Sequence, residues 1–192
     1  MTAVAPTRDR LLRAARETIE ERGYSAASVV VVAERAGVAA GTLYRHFASK
    51  EEMFVELFRA VCDRELAAMR AAAEELPADG TRAERIERVL STFADRALSR
   101  PRLAWALIAE PVDPAVDAER LAYRARYAEL VAGALAEAVA AGELPSQDVA
   151  VTAAALIGGC GEALVGPLAA DSPDPQQTVD ALRAFVRRAI GA

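Results

Sequence analysis

Nine prolines divide the chain. Pro6, Pro77, Pro101, Pro111, Pro114, Pro145, Pro167, Pro173 and Pro175 all fall between long proline-free stretches dominated by Ala, Leu, Arg and Glu. A proline inside a helix removes a backbone hydrogen bond and clashes with the preceding turn, whereas those four residues are strong helix formers. Helix, break, helix is therefore the expected rhythm, and an all-α fold follows. One segment resists it by propensity, because Ser28 is followed by four valines, Val29 to Val32, which favour a strand. A single strand would have no partner for its backbone, so a helix is expected there too.

Capping residues set the boundaries. A first helix is expected from about Thr7 to Glu21, with Leu11, Leu12, Ala15 and Ile19 on one face and Gly23 ending it in a left-handed cap. Ser28 caps a second helix to Ala36, closed by Gly37, and a short third covers about Ala40 to His46. Ser49 with Glu52, and Thr81 with Glu84, read as capping boxes that open helices to about Leu76 and Leu98. Pro101 stands at the first position of a helix to about Ala109, and beyond the break at Pro111 to Pro114 a long helix runs to about Ala141. Ser146 is expected to cap a nearly uncharged helix to about Gly166, and a last helix covers about Pro175 to Ile190.

With 192 residues, 53% of them hydrophobic and 27% charged, the chain can bury a sizeable core and is neither disordered, fibrous nor a disulfide framework. Its two cysteines, Cys62 and Cys160, lie far apart, and the start MTAVAPTRDR lacks the charged-then-apolar pattern of a secretory signal, so a cytoplasmic location is expected. Val149 to Ala170 holds a single charge, Glu162, over a length that would span a bilayer of about 30 Å. It is mostly Ala and Gly, has no basic flank and carries Pro167 near its end, so a buried interface helix is expected and no membrane partner. One histidine, two distant cysteines, no glycine-rich phosphate loop and no clustered carboxylates leave no constellation for catalysis or metal binding, and no cofactor is expected.

Charge is unevenly spread. Residues 1–50 carry eight basic and five acidic side chains, a balance of +3, while the remainder carries 15 against 23, a balance of −8. A basic amino-terminal portion on an acidic body suits a nucleic-acid contact module, since phosphate attraction needs local positive charge. The stretch from Val29 to Phe47 meets the steric demands of a helix-turn-helix. Ala33 is small enough for two helices to cross closely, Gly37 supplies the left-handed residue of the turn, and Val32, Ala36, Val38 and Leu43 form an apolar set that locks the second helix. Tight helix corners in ordinary helical cores share that bare pattern.

The string Ala36-Gly-Val-Ala-Ala-Gly-Thr-Leu-Tyr-Arg-His-Phe-Ala-Ser-Lys-Glu51, with Ala14-Ala15, Gly23-Tyr24 and Ser28 upstream, resembles the recognition region of the TetR/AcrR family of transcriptional regulators over about residues 7–57. The resemblance implies an amino-terminal three-helix DNA-binding domain, residues 1–50, and a larger helical ligand-binding and dimerisation domain, residues 51–192. It places Ser28, Thr42, Tyr44, Arg45, His46 and Lys50 at the DNA, with Lys50 on a phosphate and Arg45 reading bases. The chemistry agrees, because Thr42 offers a hydroxyl, Tyr44 and His46 are amphipathic donors, and Arg45 is the only long cation of the third helix. The chain departs from the family at Ala27 and Ala39, where Thr and Ser or Thr are usual, so two cap or phosphate contacts are expected to be missing.

Beyond residue 57 the resemblance lies in helix number and length. It implies an effector pocket, with Phe93, Trp105, Ile108, Tyr123, Arg124 and Tyr127 as candidate walls and a hydrophobic small molecule as the expected occupant. If Arg120 or Arg124 turns inward, the effector is anionic. A homodimer is expected through Leu156, Gly158, Gly159, Gly161 and Leu164 with Leu182, Phe185 and Val186, since the penultimate helix is apolar on nearly every face and its glycines leave a strip another backbone can approach. The function expected is a ligand-responsive repressor on a palindromic double-stranded operator. The alternative is a helical small-molecule-binding or interaction protein that has lost DNA binding.

Overall fold

The computed structural model describes residues 6–75, 80–110, 113–169 and 174–192, and among them there are nine helices and no strand. They are α1 (Thr7–Arg22), α2 (Val29–Arg35), α3 (Ala40–Leu43), α4 (Lys50–Glu74), α5 (Arg82–Ser99), α6 (Pro101–Ile108), α7 (Pro114–Ala140), α8 (Val149–Ala169) and α9 (Pro175–Ile190). The fold is all-α. The expected helix end at Leu76 and the breaks at Pro77, Pro111 and Pro173 lie outside the described residues.

Local chemistry explains most of the boundaries. Ser28 Oγ accepts from the Val31 amide at 3.3 Å and starts α2 in spite of its valines. Thr81 and Glu84 form a reciprocal capping box at the start of α5. Pro101, Pro114 and Pro175 each open a helix, where the missing amide costs nothing. Ser49 Oγ caps α4 through the Glu52 amide at 3.2 Å, but the Glu52 carboxylate accepts from Ala48, so the expected reciprocal box is shifted by one residue. The cap of α8 is Asp148 and not Ser146, for the Asp148 carboxylate accepts from the Ala150 and Val151 amides at 3.1 and 3.0 Å. A carboxylate caps more strongly than a hydroxyl because it also meets the positive end of the helix dipole.

Two further boundaries depart from expectation. Gly23 has the positive φ, 84°, that a glycine permits, yet its ψ of 170° is extended, so it turns the chain sharply without being a left-handed helical cap. The third helix stops at Leu43, and the next residues close short bonds from Arg45 to Thr42 and from His46 to Leu43 at 3.2 and 2.9 Å. That tightening follows from an uncapped start at Ala39 and the flexible Gly41, which leave too little to propagate an α-helix.

Packing forms two groups joined by α6. Leu11, Ala15, Ile19, Val32, Leu43 and Phe47 are buried where α1 to α3 meet the first turn of α4. The body is built of α4, α5, α7, α8 and α9, with Ile86, Leu135, Leu156, Leu164 and Ile190 fully enclosed. Helix α6 packs on α1 at one side and α8 at the other, and α4 runs from α1 into the body, so both helices link the groups. Helix α8 has the length and hydropathy to cross a membrane, but its Ala153, Leu156, Cys160, Leu164 and Leu168 are buried within the protein.

Candidate functional site

The amino-terminal surface is organised by arginines whose roles are structural. Arg10 donates to the carbonyls of Ala36 and Gly37, the latter at 3.3 Å, and so holds the α2–α3 turn closed. Gly37 has φ 67°, a left-handed conformation that favours glycine, and a Cβ there would meet the Arg10 guanidinium at 3.1 Å, so the arginine would have to yield. Arg8 lies over the Phe47 ring at 4.3 Å, donates to the His46 carbonyl and pairs with Glu56, thereby clamping the segment after α3 to α4. Arg16 pairs with Glu20, and Arg35 with Glu21 and Glu17. Much of the amino-terminal positive charge is thus spent inside the unit, which its sum of +3 conceals.

Five of the six expected DNA-facing residues fall on one continuous segment, Thr42 to Lys50, and the sixth, Ser28, stands apart at the start of α2. Tyr44 is 58% exposed, and Arg45 is exposed with its Nη2 donating to Thr42 Oγ1 at 3.2 Å. Thr42 and His46 are half-buried, and Ser28 is exposed with its hydroxyl engaged in the α2 cap. Lys50 is half-buried, its Nζ standing 5.5 Å from the Tyr24 ring centre and 5.1 Å from that of Phe54. Leu43 and Phe47 anchor the segment from beneath. The departure at Ala27 loses no surface contact, since Ala27 is fully buried. Ala39 is exposed, has the extended backbone of a cap residue and offers no side-chain acceptor.

The body contains an apolar cavity of about 100 Å³, set within some 920 Å³ of empty space when its open mouth is counted. Phe93, Ile108, Tyr123, Arg124 and Tyr127 line it. Trp105 does not. On α6 the cavity face is formed by Leu103, Ala104, Leu107 and Ile108, and Trp105 is turned about the helix axis into a cleft shared with Arg22, Arg102 and Pro167. The tyrosine hydroxyls are committed to α4: Tyr123 donates to Asp63 Oδ1 at 2.8 Å, and Tyr127 to the Cys62 carbonyl at 3.3 Å. The Tyr123 bond, with Arg126 beside it, holds the Asp63 carboxyl below its usual range. Arg120, which the sequence offered only as an inward-turning possibility, does line the cavity.

Both cysteines also line this cavity as free, buried thiols. Burial pushes Cys62 up to about 12 and Cys160 up to about 11, because an apolar surround disfavours a thiolate. At neutral pH each will therefore present about a hundredth or less of the thiolate of an ordinary cysteine. The expected outcome is that a disulfide reagent titrates neither in the native protein within minutes and both in urea. Rapid native labelling of either would contradict that burial.

Of the expected interface residues, Leu156, Leu164, Leu182 and Val186 are buried within the subunit, and Leu182 also lines an open surface cleft with Gly159, Ala163 and Phe185. Gly158 is exposed, Gly159 and Gly161 are half-buried, and Phe185 is 38% exposed over Gly159, whose added Cβ would meet its ring at 3.4 Å. Around them the outer face of α8 and α9 is apolar and of small residues: Val151, 65% exposed, with Ala154, Ala155, Ala163, Ala181 and Ala184.

The two units touch through a few polar contacts that sequence reasoning missed. Glu110 Oε2 accepts from the Tyr24 amide at 3.4 Å, Arg102 donates to the Glu21 carbonyl, and Arg100 stands 3.8 Å from Glu20. Partners some eighty residues apart leave no local pattern, so no spacing signal marks them.

Comparison with known proteins gives two family matches, "Bacterial regulatory proteins, tetR family" over residues 11–57 and "Tetracyclin repressor-like, C-terminal domain" over residues 79–164. The chain is similar to the HTH-type transcriptional regulator UidR of Escherichia coli strain K12, 38% identical over 73 residues, which are 38% of this chain and 37% of that protein. It is also similar to the HTH-type transcriptional repressor KstR2 of Mycobacterium tuberculosis, 48% identical over 56 residues, or 29% of this chain and 28% of that one. These matches span well under half of either relative. The crystal structure of FadR from Bacillus subtilis in complex with stearoyl-CoA superposes with a TM-score of 0.79 at 23% identity, covering 95% of this chain and 97% of that one, a likeness of fold.

Proposed function

The chain belongs to the tetR family of bacterial transcriptional regulators, and from that premise we propose that it is a repressor that binds a palindromic operator as a homodimer and releases it when a small, largely apolar effector fills the cavity. The observation that carries this reading is the coexistence, in one chain, of an exposed helix-turn-helix segment and an apolar cavity whose wall, α6, also packs on α1. KstR2 is named a repressor, and the FadR complex holds stearoyl-CoA, a long apolar chain on an anionic carrier; both support the reading.

Ser28, Thr42, Tyr44, Arg45, His46 and Lys50 would face DNA. Phe93, Ile108, Tyr123, Arg124 and Tyr127 would meet the effector, with the division between the two domains at residues 50 and 51. Helices α8 and α9 would pair with their two-fold mates through the outer face around Gly158 and Phe185, setting two recognition segments about 34 Å apart, one helical turn of DNA or a multiple of it. Its place of work would be the cytoplasm, where the DNA is.

A second reading, a helical ligand-binding protein without DNA affinity, draws on the uncapped four-residue α3 and on the arginines spent in internal pairs. A salt-dependent gel shift with the DNA upstream of the protein's own gene separates the two. Retardation that weakens as salt rises, and exceeds that of random duplex, is expected. Equal or absent retardation of both fragments would favour the second reading.

A further inference from the structure

The cavity's charge runs against that of the domain around it. Residues 51–192 sum to −8, yet the cavity is lined by Arg96, Arg100, Arg120 and Arg124 against the single acid Glu65. Arg96 is paired with that acid, at 2.9 Å in its second bond. Arg124 makes no hydrogen bond or ion pair within the described residues, although it shares a helix face with Arg120 one turn away. An apolar chamber edged by four guanidinium groups, of which Arg124 alone has no acidic partner among the described residues, suits a molecule with an apolar body and an anionic head.

Arg120 is not idle in this structure. Its guanidinium donates to the carbonyls of Leu107 at 2.8 Å, Glu110 at 3.0 Å and Ala106 at 3.3 Å, and to the Asp117 carboxylate at 2.6 Å. The end of a helix leaves carbonyls without donors and gathers partial negative charge, and Arg120 answers both for α6. A carboxylate or phosphate is a stronger acceptor than a carbonyl and can take two parallel N–H groups from one guanidinium, so an anion in the cavity competes directly for these donors. What it would free is the end of α6. Glu110, held there through its carbonyl, holds the Tyr24 amide through its carboxylate, and the Tyr24 ring packs against Phe54 at 4.6 Å, tilted by 53°, near Lys50.

We infer that the effector is an amphiphile with an anionic head and that Arg120 is the residue that selects it, exchanging the carbonyls at the end of α6 for the head group. This rests on the effector reading of the cavity given above, but the test does not require DNA. The full chain is titrated with dodecanoate, dodecanoyl-CoA and dodecanol, which share a tail length and differ in head. At least one anionic probe will bind tenfold or more tighter than dodecanol, and which one does so distinguishes a free carboxylate from a phosphorylated carrier. In Arg120→Gln that preference will fall to threefold or less with dodecanol binding unchanged, and Arg120→Lys, which keeps the charge and loses the fork, will recover part of it. The amides of Ala109 and Glu110, which donate to the Trp105 carbonyl at 2.9 Å, will exchange about tenfold faster with the anionic probe and not with dodecanol.

Equal binding of all three probes to the unaltered protein would overturn the inference without any variant. So would an equal loss of all three in Arg120→Gln, which marks a merely structural role, or unchanged amide exchange. Should Arg120→Gln fail to fold, Arg124→Gln, at an exposed position without partners, must still lower the anion preference. A protein that shows the preference yet retards no DNA would refute the regulatory reading and leave this inference standing.

Discussion

Gly158→Glu will convert the protein into a well-folded monomer that no longer retards operator DNA at concentrations that saturate the original. The subunit tolerates the change, because Gly158 is exposed on α8, has no unusual φ and has nothing within 4 Å of an added Cβ. Glutamate is also a better helix former than glycine by about 0.5–1 kcal/mol, so the monomer's melting temperature will hold or rise. In a two-fold dimer built on this face the carboxylate is buried twice, and an unpaired buried charge costs about 3–5 kcal/mol, hence about 6–10 kcal/mol for the pair. Loss of one half-site then removes roughly a thousandfold or more of specific affinity. Sedimentation and gel shift read the two effects separately, and Gly133→Glu, at an exposed glycine of α7 with equal room, is the control that must stay dimeric. A Gly158→Glu protein that sediments as a dimer would move the interface off α8.

The choice of face on α8 illustrates what the sequence could carry. Amphipathic periodicity reveals the buried side of α5, whose Ile86, Val89, Leu90, Ala94 and Ala97 recur at helical spacing. In α8 almost every position is apolar, so periodicity marks the helix but not its orientation, and Leu156 and Leu164 look no different from Val151 until α7 and α9 are packed against them. Caps made by neighbours, such as Ser28 and the Thr81 box, were legible because both partners lie within three residues. Asp148 beat Ser146 by the same local chemistry, two residues along.

Long-range polar contacts were not legible. The Arg8 pair with Glu56, the Arg10 clamp on the turn and the Arg120 bonds to α6 depend on where helices distant in sequence come to rest, and each arginine in isolation reads as solvated charge. The fold and the helix-turn-helix geometry could be foreseen because steric demands at Ala33, Gly37 and Leu43 are local. The cavity was foreseen in five of its walls and missed at Trp105, because a short helix of eight residues gives too few turns to tell its cavity face from its outer face.

Arg45→Ala and Lys50→Ala will both weaken DNA binding, but along different axes. Arg45 is exposed beside Tyr44, anchored from below by Leu43, and its only recorded bond among the described residues is the one to Thr42 Oγ1. That single neutral bond is a small cost against a fork on guanine O6 and N7, worth about 1–3 kcal/mol of discrimination per half-site, or about 2–6 kcal/mol for a dimer. Arg45→Ala will therefore narrow the gap between operator and random duplex more than it lowers nonspecific affinity. Lys50 makes no hydrogen bond or ion pair among the described residues, and a phosphate is its expected partner in the complex. Lys50→Ala will weaken operator and random DNA alike and flatten the plot of log affinity against log salt by about 0.9 per contact, about 1.8 for a dimer. The two differ in stability as well. Arg45 packs on nothing that alanine would lose, whereas Lys50 sits over the Tyr24 and Phe54 rings, and removing it will cost about 0.5–1 kcal/mol in melting experiments. An Arg45→Ala protein that kept its full specificity ratio would place base reading in Thr42, Tyr44 or the shape of the DNA instead, because no other arginine stands between Ala36 and Lys50.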